Sequence, residues 1–232
     1  NLLPLKDPDT GGLDISGTTI YCDETGGDYY DYLLPEDKEK PLVRIVIGDV
    51  SGHGISSALL MATAIALFRQ RSALDGTLSQ VVTDVNRQLC NTVGDSGNFI
   101  TLFCMEINQK EGSIKWVRAG HEPGLLFDPV LNNFIELKGK GIALGVDSNF
   151  AYEENVLTDI GEEAVALVFT DGIPEALNPE GDHFGKTRLK NLVQAYRRKN
   201  AQSILNKIFS ELKQFKQSKR LLDDATAIVV KF

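Results

Sequence analysis

The chain has 232 residues, 42% of them hydrophobic, and a formal net charge of −8. That length and apolar share suffice for one sizeable core in a single domain, and the acidic balance without a basic stripe excludes nonspecific nucleic-acid binding. No window approaches the ~18 apolar residues of a membrane span, and the N-terminus lacks the charged-then-apolar pattern of a secretion signal.

The chain opens on Asn1 and a linker-like LLPLKDPDTGG. Residues 1–12 are therefore read as a linker or fragment edge, and 13–232 as one domain cut from a longer regulatory protein. Leu13 to Cys22 alternates enough for a strand, and Asp28 to Pro35 reads as a second strand entering the polar turn EDKEK. Val43 to Ile47 makes a third, and the short links predict an antiparallel meander of the three.

That third strand breaks abruptly at Asp49, flanked by Gly48, Gly52 and Gly54. A strand thus delivers one carboxylate into a corner where glycines let the backbone approach a ligand, a geometry suited to a metal or a phosphate. Taken alone, such an Asp is as readily an N-cap. The chain repeats the pairing of Asp with an apolar β-type run in AVALVFTDG, ending at Asp171, and in DDATAIVVKF, opening with Asp223 and Asp224. A further Asp, Asp28, stands in the Gly-rich TGGDYYDYL.

Ile55 to Ala73 is helical and apolar nearly all round until Arg69, which predicts burial on most faces. Leu78 to Val93 carries Leu78, Val81, Val82, Val85, Leu89 and Val93 on one stripe and covers a sheet from outside. Strands then follow densely at ITLFCMEI, SIKWVRAG, GLLFDP, FIELKG, FAYEENVL and AVALVFTD, two helices at Lys186–Arg198 and Ala201–Lys216, and a last strand at ATAIVVKF. Grouped strands interrupted by helix pairs give an α+β fold, a four-layer α-β-β-α sandwich of two antiparallel sheets face to face. Asp49 and Asp171 follow their strands while Asp223 and Asp224 precede one, so antiparallel strands can bring all of them to one rim.

Carboxylates gathered there raise each other's pKa unless cations neutralise them. An all-oxygen set suits Mg²⁺ or Mn²⁺ and disfavours zinc. Cys22, Cys90 and Cys104 share no ligand spacing and read as reduced thiols of a cytoplasmic protein. Two hard ions about 4 Å apart lower the pKa of a bridging water and hold phosphoryl oxygens, so the residues lead to phosphoester hydrolysis. Other chemistries fit poorly. Ser51 has Asp49 and His53 where a nucleophile elbow needs glycines, Asp171 has Ile173 where an aspartyl-nucleophile phosphatase needs a second Asp, and GDVSGHG lacks the dinucleotide glycine order.

GGDYYD (26–31), GDVSGHG (48–54), AGHEP (119–123), TDGIPEA (170–176), NPEGDHFG (178–185) and DDAT (223–226) stand in the order of the metal-dependent protein phosphatases of the type 2C superfamily. Over about residues 13–232 the chain resembles the bacterial branch typified by the stage II sporulation E phosphatase and the activators of general-stress sigma factors. The resemblance implies hydrolysis of phosphoserine and phosphothreonine at two Mn²⁺ or Mg²⁺ ions. By position it implies Asp28 as a ligand of one ion, Asp49 as the bridging ligand with the Val50 carbonyl, and Asp171 with Asp223 completing the second. Asp224 and Gly172 match supporting positions.

The chain departs from eukaryotic members, where Gly and then a proposed general-acid His follow the bridging Asp. Here Val50, Ser51 and Gly52 precede His53, whose reading is divided between general acid and structural turn residue. His121 is expected to tether a turn, and His183 is assigned no role.

The resemblance further implies a phosphorylated anti-sigma-factor antagonist as substrate in a partner-switching stress response, with an upstream regulatory domain or activator as partner. Two rivals stand beside it: a pseudophosphatase that binds phosphoprotein without turnover, and hydrolysis of a small phosphorylated metabolite. The basic run Lys213, Lys216, Lys219, Arg220 reads as a solvated helix end or a dock for an acidic phosphoprotein, and Ala58–Phe68 reads as core rather than interface.

Overall fold

The computed structural model describes residues 3–23, 26–34, 42–52, 54–94 and 97–232. In chain order the elements are β1 (Asp14–Ile20), β2 (Asp28–Leu33), β3 (Leu42–Val50), α1 (Ile55–Ser72), α2 (Leu78–Val93), β4 (Ile100–Asn108), β5 (Ser113–Ala119), β6 (Gly124–Asp128), β7 (Asn133–Leu137), β8 (Asn155–Leu157), β9 (Val165–Phe169), α3 (Gly185–Tyr196), α4 (Ala201–Lys216) and β10 (Ala225–Lys231). The turn expected over residues 36–40 lies outside the described residues.

Strands β9 and β10 are apolar runs buried along nearly their whole length, and a strand of that kind requires cover on both faces. Period-two alternation divides their side chains between two clusters. Ala166, Val168, Ile228 and Val230 join the core that also holds β3, β4, α1 and α2. Val165, Leu167, Phe169, Ala227 and Val229 join a second core with α3 and α4. The strands form two five-stranded sheets, β1-β10-β9-β6-β7 and β2-β3-β4-β5-β8, with neighbouring strands antiparallel. This is the expected α-β-β-α sandwich. Among the described residues no helix is long and apolar enough to cross a membrane.

The meander expected of the first three strands is not formed. β2 pairs with β3, but β1 pairs with β10 in the other sheet, from Asp14 opposite Lys231 to Ile20 opposite Ala225. The cause is β10: buried on both faces, it needs a partner on each edge, and β9 supplies only one.

The apolar first helix is one-faced rather than enclosed. Leu60, Met61, Ala64, Ile65 and Phe68 point inward, while Ile55 and Leu59 are 75% and 64% exposed. Small residues on the flanks, Ala58, Ala62 and Ala66, made the pattern read as apolar all round although the seam that packs on β2 and β3 is narrow.

α2 begins with a capping box between Thr77 and Gln80 and buries the expected stripe from Leu78 to Leu89, with Val93 half-buried at its end. It also buries Asn86, whose Nδ2 donates to the Asp147 carbonyl at 2.8 Å and whose Oδ1 accepts the Gly145 N–H at 2.9 Å. The strand expected over 150–157 shortens to β8, because Phe150 and Tyr152 turn inward to pack on each other.

Candidate metal centre

Asp49 lies inside β3, opposite Asp28 of β2 on one side and Thr101 of β4 on the other. The strand that carries it is therefore paired on both edges, successive residues bonding to alternate neighbours, which fixes where its carboxylate emerges. The turn that follows is stapled by Ser51. Its N–H donates to the Phe99 carbonyl at 2.9 Å, and its hydroxyl accepts the Phe99 N–H at 2.9 Å. Ser51 thus serves the backbone, in line with its failure as a nucleophile motif.

The other sheet contributes from just beyond its strand ends. Asp171 follows β9 in a turn where the Thr170 N–H donates to the Thr226 carbonyl at 3.0 Å and the Glu175 N–H to the Asp171 carbonyl at 2.9 Å. Asp223 and Asp224 precede β10, the neighbour of β9. Gly172 has to be glycine, because a Cβ there would run into the Asp224 backbone carbonyl. Two acid-bearing turns can pack this closely only with that side chain missing.

The outcome is a convergence of carboxylates from distant parts of the chain. Oxygens of Asp49, Asp171 and Asp223 lie within 4.8 Å of one another. Burial first, then the charges of Asp223, Asp171 and Asp224, push the Asp49 pKa up to about 7. Burial raises Asp171 as well, reinforced by Asp223, Glu175 and Glu122. Among the described residues no Lys or Arg forms an ion pair with any of the three. A half-buried set of hard oxygen donors that repel one another fits a divalent cation of the Mg²⁺ or Mn²⁺ type.

Asp28 is not in that trio. Its side chain is 1% exposed, and its Oδ2 accepts hydrogen bonds from the Thr226 and Thr170 hydroxyls at 2.6 and 2.8 Å. Burial raises its pKa well above the carboxylate range, with Asp49 and Asp224 adding to the shift and the two threonines opposing it. The two acids are nonetheless adjacent through strand register.

Asp224 ties the Gly-Gly-Asp corner to the other sheet. Its Oδ1 accepts the Cys22 N–H at 2.8 Å, and its Oδ2 accepts the N–H groups of Gly27 and Asp28 at 2.8 and 3.3 Å. The corner approaches β3 so closely that a Cβ on Gly27 would stand 3.0 Å from the Val50 carbonyl and 3.2 Å from Asp49 Oδ1. The Val50 carbonyl and Asp49 Oδ1 therefore face the same glycine.

Of the histidines, His53 lies outside the described residues. His121 is buried, with Nδ1 2.8 Å from the Thr101 hydroxyl, and burial lowers its pKa to about 4. It tethers the turn after β5 to the strand opposite Asp49, as expected of it. His183 is exposed and packs Nδ1 against the Glu175 carbonyl at 3.1 Å.

Sequence reasoning missed Thr170, Thr226, Glu122 and Lys186. Thr170 stands beside Asp171 in TDG and Thr226 two residues after Asp224 in DDAT, which was the available signal, and their hydroxyls both reach Asp28. Glu122 lies in AGHEP and pairs with Lys186 at the head of α3.

The chain is 29% identical over 230 residues to the phosphoserine phosphatase RsbU of Bacillus subtilis, covering 99% of this chain and 66% of that relative. The chain therefore spans slightly under two thirds of that protein's length. The fold matches the SiaA-PP2C domain of Pseudomonas aeruginosa with a TM-score of 0.81 at 17% identity, covering 94% of this chain and 86% of that one. It matches the PP2C phosphatase domain and regulatory fragment of SpoIIE from Bacillus subtilis with a TM-score of 0.80 at 16% identity, covering 95% and 63%. The family model described as Stage II sporulation protein E (SpoIIE) matches residues 40–232. The chain belongs to the SpoIIE family.

Proposed function

We propose that the chain is a phosphoprotein phosphatase acting on phosphoserine and phosphothreonine, with two divalent cations, Mn²⁺ or Mg²⁺, as cofactors. The observation that carries this reading is the meeting of Asp49, Asp171 and Asp223 within 4.8 Å at the junction of the two sheets. Asp28, Asp49, Asp171 and Asp223, with the Val50 carbonyl, would hold the cations. Bound there, such ions lower the pKa of a water and neutralise charge on phosphoryl oxygens.

The chain's own part is preorganisation. The β3 ladder fixes Asp49, Asp224 ties the Gly27–Asp28 backbone to the β10 end, and Gly172 allows the two acidic turns to touch. The Thr170 and Thr226 hydroxyls donate to Asp28 and favour its carboxylate form, which partly offsets the burial that favours the protonated one.

Residues 13–232 act as one catalytic domain of a longer cytoplasmic protein, which agrees with the greater length of the RsbU relative. That relative's name supports a phosphoserine substrate. The protein substrate, a phosphorylated anti-sigma-factor antagonist, and the upstream regulatory partner rest on the family resemblance.

The test is Mn²⁺-dependent hydrolysis of p-nitrophenyl phosphate and of a phosphoserine peptide, by wild type and Asp171→Asn. Wild type is expected to turn over both only with metal, and Asp171→Asn to lose at least ~100-fold. Equal, metal-independent signals from the two proteins would remove the enzyme and leave a phosphoprotein-binding module.

A further inference from the structure

A phosphate dianion approaching Asp49, Asp171 and Asp223 meets like charge, and Glu122 and Glu175 add theirs beside Asp171. Lys186 is linked to that neighbourhood through Glu122. Lys186 forms an ion pair with Glu122, and among the described residues this is the ion pair whose carboxylate bears on Asp171.

Two anchored segments bring the pair to the rim. Glu122 follows His121, which is bound to the hydroxyl of Thr101, the register partner of Asp49. Lys186 opens α3, whose start is tied to the Asp171 turn: Gly185 donates to the Pro174 carbonyl at 2.9 Å and Phe184 to the Ala176 carbonyl at 2.9 Å. The first turn of α3 carries no acidic side chain, and its N-cap, Phe184, offers no side-chain hydrogen bond. The positive end of the helix dipole therefore adds to the ammonium. The Lys186 side chain is 41% exposed, so it is open to a molecule arriving from solvent.

We propose that Lys186 is a substrate-binding residue, its ammonium donating to a non-bridging oxygen of the phosphorylated side chain. The contact with Glu122 Oε2 is an ion pair without hydrogen-bond geometry, so the three donors of the ammonium, on a flexible stem, remain for a phosphoryl oxygen. The residue selects for phosphomonoester dianions over esters of lower charge. This assignment rests on the phosphatase reading above and adds to it a protein cation outside the acidic set.

The experiment compares wild type, Lys186→Gln and Lys186→Arg, each loaded with Mn²⁺. Inorganic phosphate binding is measured by calorimetry, and KM and kcat with a phosphoserine peptide. Lys186→Gln is expected to weaken phosphate binding and raise KM about tenfold, the worth of a charge-assisted hydrogen bond, with kcat within about twofold and an unchanged melting temperature. Lys186→Arg is expected to recover most of the loss.

A Lys186→Gln protein with phosphate affinity and KM both near wild type overturns the assignment, and a lowered melting temperature alone would leave the pair as a tie for α3. The two readings fail separately. Wild type that binds phosphate through Lys186 but shows no metal-dependent turnover sinks the phosphatase and keeps the lysine. Turnover indifferent to Lys186 does the reverse, and wild type that binds no phosphate overturns the lysine.

Discussion

Asp28 and Asp49 lie within paired strands of one sheet, whereas Asp171 and Asp223 stand in turns just outside the strands of the other. The first two inherit their positions from backbone ladders. The second two depend on side-chain and close-packing contacts: Gly172 against the Asp224 carbonyl, and Asp224 against the backbone of Cys22, Gly27 and Asp28. Strand-borne acids are thus fixed by the fold, and turn-borne acids by local chemistry that a single substitution can undo.

The sharpest way to separate the two is to neutralise an acid of the strand-borne kind. Asp49→Asn is expected to lower metal-dependent turnover by at least ~100-fold while leaving the ladder intact, read by kinetics and circular dichroism. The same variant, free of metal, is expected to melt above wild type at pH 7.5, because it removes a like charge from a crowded, half-buried set.

Next comes the bridge between sheets. Asp224→Ala strands three backbone N–H groups in a buried corner, and a loss of about 3 kcal/mol is expected in urea unfolding. Gly172→Ala, which forces a methyl into the Asp224 backbone, is expected to cost about 2 kcal/mol and to weaken Mn²⁺ binding, measured by calorimetry. If Gly172→Ala leaves both unchanged, the turns are less tightly coupled than their packing implies. Thr170→Val and Thr226→Val each remove one hydroxyl from Asp28, and about 1 kcal/mol is expected from each.

The smallest effect has a definite sign. Asp49 titrates near pH 7 in the fold against an ordinary value of 3.8, so between those values the folded state holds a proton that the unfolded chain has released. The metal-free protein is therefore expected to lose stability as pH rises from about 4 to about 7, a fall of a few degrees in melting temperature that Asp49→Asn reduces. Mn²⁺ is expected to stabilise the protein more at pH 7.5 than at pH 5, since the cation competes with the proton.

Much of the rim was legible in the sequence because its acids sit where apolar runs stop. Asp49 is announced by the glycines around it, although β3 runs on through it to Val50 rather than stopping short, and Asp171 and Asp223 flank the runs VALVF and ATAIVV. The partner of β1 was not legible: alternation in DISGTTI marks a strand but carries no information on which edge it covers, and the deciding fact is that β10 is buried on both faces. The exposed seam of α1 escaped for a related reason, since alanines at flanking positions read the same whether they face core or water. Thr170, Thr226 and Lys186 are common residue types at ordinary places, and only their three-dimensional company distinguishes them.

The pairing of β1 with β10 joins the two ends of the described chain, and Asp223 and Asp224 immediately precede β10. During synthesis all strands of the β2-β3-β4-β5-β8 sheet are therefore made before β10, which joins β1 to β9 in the other sheet. A nascent chain would carry Asp49 long before it carried the partners that crowd it, so the acid set assembles only once β10 is in place.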